Sequence, residues 1–149
     1  MSTTQTETNV EVKAEAQWVA FDIKNRMKKN DISVNNAYLS YGKFYKGSKD
    51  REISIQEVDS IVIAPGTIET ISSCGREQSP SGTTGNFDLF DGDTKICTTK
   101  WDCPWGSPTN NVEITSYDAE TSDYSVVLGP WNVSGGAIGT VSITITRNG

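Results

Sequence analysis

The chain has 149 residues and a mass of 16.2 kDa, the size of one domain, and no second independent domain is expected within it. Apolar residues make up 35% and charged residues 21%, whereas 16 Ser and 17 Thr with 13 Gly and 5 Pro suit short strands with polar outer faces. Thirteen Lys and Arg against 19 Asp and Glu leave a net charge of −6, which argues against a sequence-independent nucleic-acid binder, and the absence of His removes the commonest general base and metal ligand.

In chain order, residues 1–14 are rich in Thr and Glu and nearly free of large apolar side chains, so they read as a flexible N-terminal tail ahead of a domain over 15–149. From Gln17 the chain alternates, and Val19, Phe21 and Ile23 form a core face opposite Trp18, Ala20 and Asp22. The cationic, Asn-rich Lys24 to Asp31 turns the chain, and Ile32 to Tyr45 supplies one or two further strands. Strand-like runs recur at Glu52–Ile55, Val58–Ile63, Thr67–Ser73, Gly85–Phe90, Thr94–Thr99, Val112–Tyr117, Tyr124–Leu128 and Ile138–Arg147, with Gly, Pro, Asp and Ser turns between them. Helical periodicity is nowhere sustained. About ten short strands at this spacing predict an all-β, single-domain β-sandwich of two antiparallel sheets.

Charge is uneven: residues 1–51 hold nine cations and six anions, a balance of +3, and residues 52–149 hold four and thirteen, a balance of −9. The runs Lys24, Arg26, Lys28, Lys29 and Lys43, Lys46, Lys49, Arg51 read as solvated hairpin ends, with anionic headgroup contact as the sharper alternative. Three cysteines, Cys74, Cys97 and Cys103, are an odd number, so at least one thiol is free or pairs between molecules. The N-terminus carries no basic segment followed by an apolar one, so synthesis in a reducing cytosol without a signal peptide is expected.

Enzyme chemistry makes the sharpest demands and finds little support. A Cys nucleophile normally relies on His. Gly82-Thr83-Thr84-Gly85 lacks the Lys and the following helix of a phosphate cradle and reads as a Gly-flanked turn. Asp88, Asp91 and Asp93 read as a hairpin turn and not as a Ca²⁺ loop, and no metal or cofactor is expected. What stands out is Trp101-Asp102-Cys103-Pro104-Trp105-Gly106-Ser107-Pro108, where two Trp flank a Pro among turn formers, so at least one indole is expected to be exposed on a loop. Trp18 and Tyr41 fall on faces with polar neighbours. Such rings suit the membrane–water interface, a sugar face or a choline-like cation, with core packing as the plain alternative.

Together with Ala16-Gln17-Trp18-Val19, Ser40-Tyr41-Gly42-Lys43, Cys74-Gly75-Arg76, Gly82-Thr83-Thr84-Gly85 and Gly135 to Thr140, that octet comes in the order seen in the aegerolysin family, which the chain resembles from about residue 15 to residue 147. The resemblance implies a small acidic β-sandwich of fungi and bacteria, without enzymatic activity, that recognises membrane lipids. In several systems it is the membrane-binding half of a two-component cytolysin whose partner carries a membrane-attack-complex/perforin domain, and some bacterial pairs are insecticidal. It also implies release from the cell to act extracellularly at target membranes. Aromatic residues at the positions of Trp18, Tyr41, Trp101 and Trp105 are associated with lipid engagement in the family, and Arg76 or Lys43 is expected to hold the phosphate. Some features depart from the pattern: Tyr41 stands where better-known members carry Trp, Ser81 where sphingolipid binders carry an acidic residue, and Cys97 and the polar tail before residue 15 are further differences. The headgroup, sphingolipid with or without sterol or another lipid, is left open. The rival from another class is a carbohydrate-binding sandwich using the same rings as stacking platforms, and a storage or developmental sandwich is a third reading.

Overall fold

The computed structural model describes residues 14–148. Among the described residues eleven strands are complete: β1 (Trp18–Asn25), β2 (Ile32–Tyr41), β3 (Lys43–Lys46), β4 (Ser48–Ile53), β5 (Val62–Ile63), β6 (Ile68–Cys74), β7 (Thr83–Asp91), β8 (Thr94–Cys103), β9 (Asn111–Thr115), β10 (Tyr124–Leu128) and β11 (Gly139–Arg147), and one short helix, α1 (Ile55–Asp59), lies wholly within them. They form a six-stranded sheet in the order β10-β11-β1-β6-β3-β4 and a five-stranded sheet in the order β5-β2-β7-β8-β9. The expected sandwich is present, with one difference. β1 and β11 run parallel, with Val19 opposite Gly139 and Asn25 opposite Ile145, so the six-stranded sheet is mixed.

The two-residue period is realised as read. Val19, Phe21 and Ile23 are buried on β1, and Val141, Ile143 and Ile145 are buried beside them on β11, which withdraws six aliphatic or aromatic side chains from water on one sheet face. Phe87 and Leu89 on β7 face them from the other sheet within the same core cluster.

Two local readings change. Val58–Ile63, expected as strand, begins inside α1: Ser54 caps the helix by accepting a hydrogen bond from the Glu57 N–H at 3.1 Å, and Val58 is buried beneath it. Ser54-x-x-Glu57 is the spacing of a capping box, a signal that short range makes easy to pass over. The Asp91-Gly92-Asp93 turn does join β7 to β8 as a hairpin, with Gly92 at φ 59°. The expected tail over 1–14 lies outside the described residues except Ala14, which is fully buried against Gly75 and so belongs to the folded unit.

Candidate functional site

One end of the sandwich collects nearly every motif. Trp18 opens β1 and stands opposite Cys74, the last residue of β6, which is in turn opposite Lys43, the first of β3. Gly42 lets the chain leave the five-stranded sheet after Tyr41 and enter the six-stranded sheet at Lys43. Its φ is +97°, and an added Cβ would stand 2.6 Å from the Cys74 carbonyl oxygen.

Gly82-Thr83-Thr84-Gly85 and the Trp-rich segment are two sides of one ladder, not a turn beside a loop. Thr83 pairs with Cys103, Thr84 with Asp102 and Gly85 with Trp101. Each position answers its partner. A Cβ at Gly82 would meet the Cys103 carbonyl at 2.1 Å, and one at Gly85 would meet Cζ2 of the Trp101 indole at 2.8 Å. Thr84 Oγ1 donates to Asp102 Oδ1 at 2.7 Å. Thr83 is the hub, for its hydroxyl accepts from Trp101 Nε1 at 3.0 Å and lies 2.6 Å from Ser73 Oγ. Since Ser73 spends its one hydrogen on the Lys43 carbonyl at 2.8 Å, Thr83 must donate to Ser73. A directed chain, indole to Thr83 to Ser73 to the Lys43 carbonyl, thus ties β8, β7, β6 and β3 together beneath the loops.

This geometry corrects the expectation for Trp101. It is 2% exposed, and its ring lies 5.4 Å from Phe21, 6.1 Å from Phe44 and 5.9 Å from Phe87 by centroid, so it fills the core between the sheets and cannot touch a lipid in this structure. β8 continues through Trp101 because both β7 and β9 pair with it there, and the turn formers take over only at Pro104, which has no N–H to give a ladder. Trp105, beyond that proline, is partly exposed and lines a shallow hollow of about 320 Å³ with Ala16, Gln17, Ser107 and Gly136. Tyr41 is 56% exposed, and Trp18 is partly exposed with the Lys49 ammonium 5.8 Å above its ring. In the sequence Lys49 is only one member of a cationic run, since no local pattern announces a contact made between β4 and β1.

The two cations expected to hold phosphate differ sharply. Lys43 is buried and bonded to Glu15 at 3.1 Å, which takes it out of that role. Arg76 is half exposed and forks onto Glu52 with contacts of 3.0 and 2.7 Å. Hydrogen bonds from Arg76 hold the Glu52 carboxyl below its usual range. Both side chains are about half exposed, so solvent and salt screen the pair and the guanidinium is accessible to an anion that competes with Glu52. Ser81 shares a hydrogen bond with Ser79 at 2.9 Å and brings no charge.

Among the described residues, the Ser and Cys candidates are not arranged for covalent chemistry. Ser40 and Lys43 have the spacing of a Ser-x-x-Lys pair, yet Ser40 lines a groove of the five-stranded sheet while the Lys43 ammonium sits on Glu15. All three cysteines are free and buried, and burial pushes the Cys74 and Cys103 thiols up to about 11 and Cys97 to about 12, the opposite of an activated nucleophile. Among the described residues no group of three His, Cys, Asp or Glu is placed to hold a metal, and no helix is long and apolar enough to cross a membrane.

A β-sandwich whose motif-bearing loops meet at one aromatic end is the architecture of a small binding protein. The aegerolysin family profile matches residues 16–148, and the chain belongs to that family. It is 47% identical over 137 residues to Asp-hemolysin of Aspergillus fumigatus, covering 91% of this chain and 96% of that one. To Ostreolysin A6 of Pleurotus ostreatus it is 34% identical over 140 residues, 91% of this chain and 99% of that one. The crystal structure of RahU protein in complex with a TRIS molecule superposes with a TM-score of 0.84 at 39% identity, covering 91% of this chain and 98% of RahU.

Proposed function

We propose that the chain is a membrane-lipid-binding protein and the membrane-recognition component of a two-component pore-forming cytolysin that acts with a perforin-domain partner. The observation that carries this reading is the convergence of Tyr41, Trp18 and Trp105, all partly or largely exposed, with the half-exposed Arg76 at one end of the sandwich. Membership of a family whose relatives are named hemolysin and ostreolysin supports it. Rings with an apolar body and a polar edge enter the headgroup layer, and Arg76 releases Glu52 to take the phosphate. With a net charge of −6, plain attraction to an anionic bilayer is insufficient, so the headgroup itself must be recognised. Ser81 offers a neutral hydroxyl where sphingolipid binders carry an acid, so an ammonium headgroup is left to the rings. In this reading the protein acts outside the cell at target membranes, and insect membranes are one target class.

The test is a vesicle screen across sphingomyelin with cholesterol, ceramide phosphoethanolamine and glycerophospholipids, with and without a perforin-domain partner, scored for sedimentation and dye release. Binding by the chain alone and release only with the partner are expected. Release by the chain alone at the same concentration overturns the two-component reading.

A groove of about 300 Å³ on the five-stranded sheet, to which Ser40, Thr84, Asn86, Lys100, Asp102 and Glu113 bring hydrogen-bonding groups, favours the second reading, a carbohydrate-binding module. Glycan-array binding without vesicle binding would select it.

A further inference from the structure

At the opposite end of the sandwich a cleft of about 750 Å³ opens between the β1–β2 turn and the end of β11. The parallel pairing of β1 with β11 brings both C-terminal ends here, and the Arg26 N–H donates to the Ile145 carbonyl at 2.8 Å. Arg26, Lys28, Lys29 and Arg147 line the cleft against a single carboxylate of its wall, Asp123. This is a dense cationic grouping on a chain of net charge −6.

The turn that carries three of these cations is pinned. Asn25, fully buried, donates through Nδ2 to the carbonyls of Asn30 and Ile63, both at 2.8 Å, and accepts from the Met27 N–H at 2.9 Å. Met27 is 5% exposed and belongs to the core, and Asn30 donates to Asp91 Oδ2 at 3.1 Å. The anchors face inward, so Arg26, Lys28 and Lys29 are left outside, exposed. Among the described residues these three form no ion pair, while Arg147 lies 3.6 Å from an Asp91 that also accepts from Tyr124 and Asn30. Holding like charges together in a rigid turn costs the fold repulsion that a mobile turn would relax. An anion in the cleft removes that cost.

We propose that this cleft is a second binding site, distinct from the aromatic end, and that it takes a ligand bearing two or more phosphate groups. Two guanidinium forks and two ammonium groups fit several phosphate oxygens at once, where one carboxylate would need only one of the arginines. The volume is that of a small-molecule site. Such groups come from a soluble polyphosphorylated compound or a phosphoinositide headgroup. β1 separates the two ends by about 26 Å at ~3.3 Å per residue, so one flat bilayer cannot cover both. A molecule seated by its aromatic end presents this cleft to solvent.

The test is titration calorimetry with inositol hexakisphosphate at low ionic strength, using the intact chain, the triple variant Arg26→Ala, Lys28→Ala, Arg147→Ala, and Trp105→Ala. One-to-one binding is expected, weakened about 100-fold or more in the triple variant and unchanged in Trp105→Ala, with all three folded by circular dichroism and the Tm of the ligand-free triple variant no lower than that of the intact chain. Added salt weakens it further. A parallel arm uses phosphatidylcholine vesicles containing a bisphosphorylated phosphoinositide. Vesicle binding that needs the cleft cations but not Trp105 assigns a lipid source, and calorimetric binding alone assigns a soluble one. Absence of both, equal affinity in the triple variant, or loss of binding in Trp105→Ala overturns the proposal and leaves the reading of the aromatic end untouched.

Discussion

Trp101 and Trp105 stand four residues apart and differ in burial, the first enclosed in the core and the second partly exposed. Trp101 fills the space among Phe21, Phe44 and Phe87, and truncating it removes both that packing and the donor to Thr83. Trp101→Ala is therefore expected to cost about 3–5 kcal/mol in chemical denaturation, whereas Trp105→Ala costs less than ~1 kcal/mol and is felt in vesicle binding instead. Thr83→Val keeps the shape of the side chain but leaves the indole N–H without its acceptor and Ser73 without a donor. Denaturation should record a loss of about 1–3 kcal/mol. The sequence marked both tryptophans as exposed candidates because Pro and Gly crowd them, and it could not tell them apart. Which indole turns inward is decided by pairing with β7 and β9, and that information lies far along the chain.

At the scale of elements, period-two alternation made most strands legible, from Val19, Phe21 and Ile23 to Val141, Ile143 and Ile145, because each strand has one buried face. The exceptions have definite causes. α1 is shorter than any periodicity can register, so its only signal was the Ser54 cap. Gly82-Thr83-Thr84-Gly85 looked like a turn because its glycines were read for conformational freedom alone, whereas two of them exist to admit the backbone and indole of β8. Gly82→Ala tests this, since it combines φ +67° with a contact of 2.1 Å, while Gly66→Ala has φ +77° and open space around it. Gly66→Ala should cost only about 1–2 kcal/mol of backbone strain, and Gly82→Ala markedly more, read as the difference in Tm. The Lys43–Glu15 pair escaped notice for the same reason as the inward Trp101: a cation next to a conspicuous Tyr reads as surface until its partner is known.

Over the whole molecule, titration of buried groups sets a pH window. Burial, then hydrogen bonding to and the charge of Asp91, raises the Tyr124 phenol to about 12, so its contribution is complete below the ordinary tyrosine value near 10 and lost as pH rises through about 12. Burial pushes Asp88 upward, but hydrogen bonds from Thr98, Asn36 and Lys95, with the Lys95 charge, outweigh it and hold the carboxyl below its usual value. That contribution is complete above the unfolded value near 4 and lost as pH falls through the lowered one. The buried thiols, raised to about 11 and 12, act in the same direction from a lower starting value near 8.5, so thermal unfolding across pH should show a plateau between about 5 and 8 with a fall on each side, and Tyr124→Phe should lessen the alkaline fall without abolishing it. The architecture and the end of the sandwich that bears the motifs were legible in the sequence; the parallel β1–β11 pair was not, because its partners lie at the two ends of the domain.

The central claim is that the partly exposed rings at one end of the sandwich seat the protein on a bilayer. Vesicle co-sedimentation of the double variant Tyr41→Ala, Trp105→Ala beside the unaltered chain tests it most directly, with circular dichroism to establish that both are folded. Loss of most of the vesicle-bound fraction at unchanged Tm is the result the account predicts. Undiminished binding by the folded double variant would contradict it.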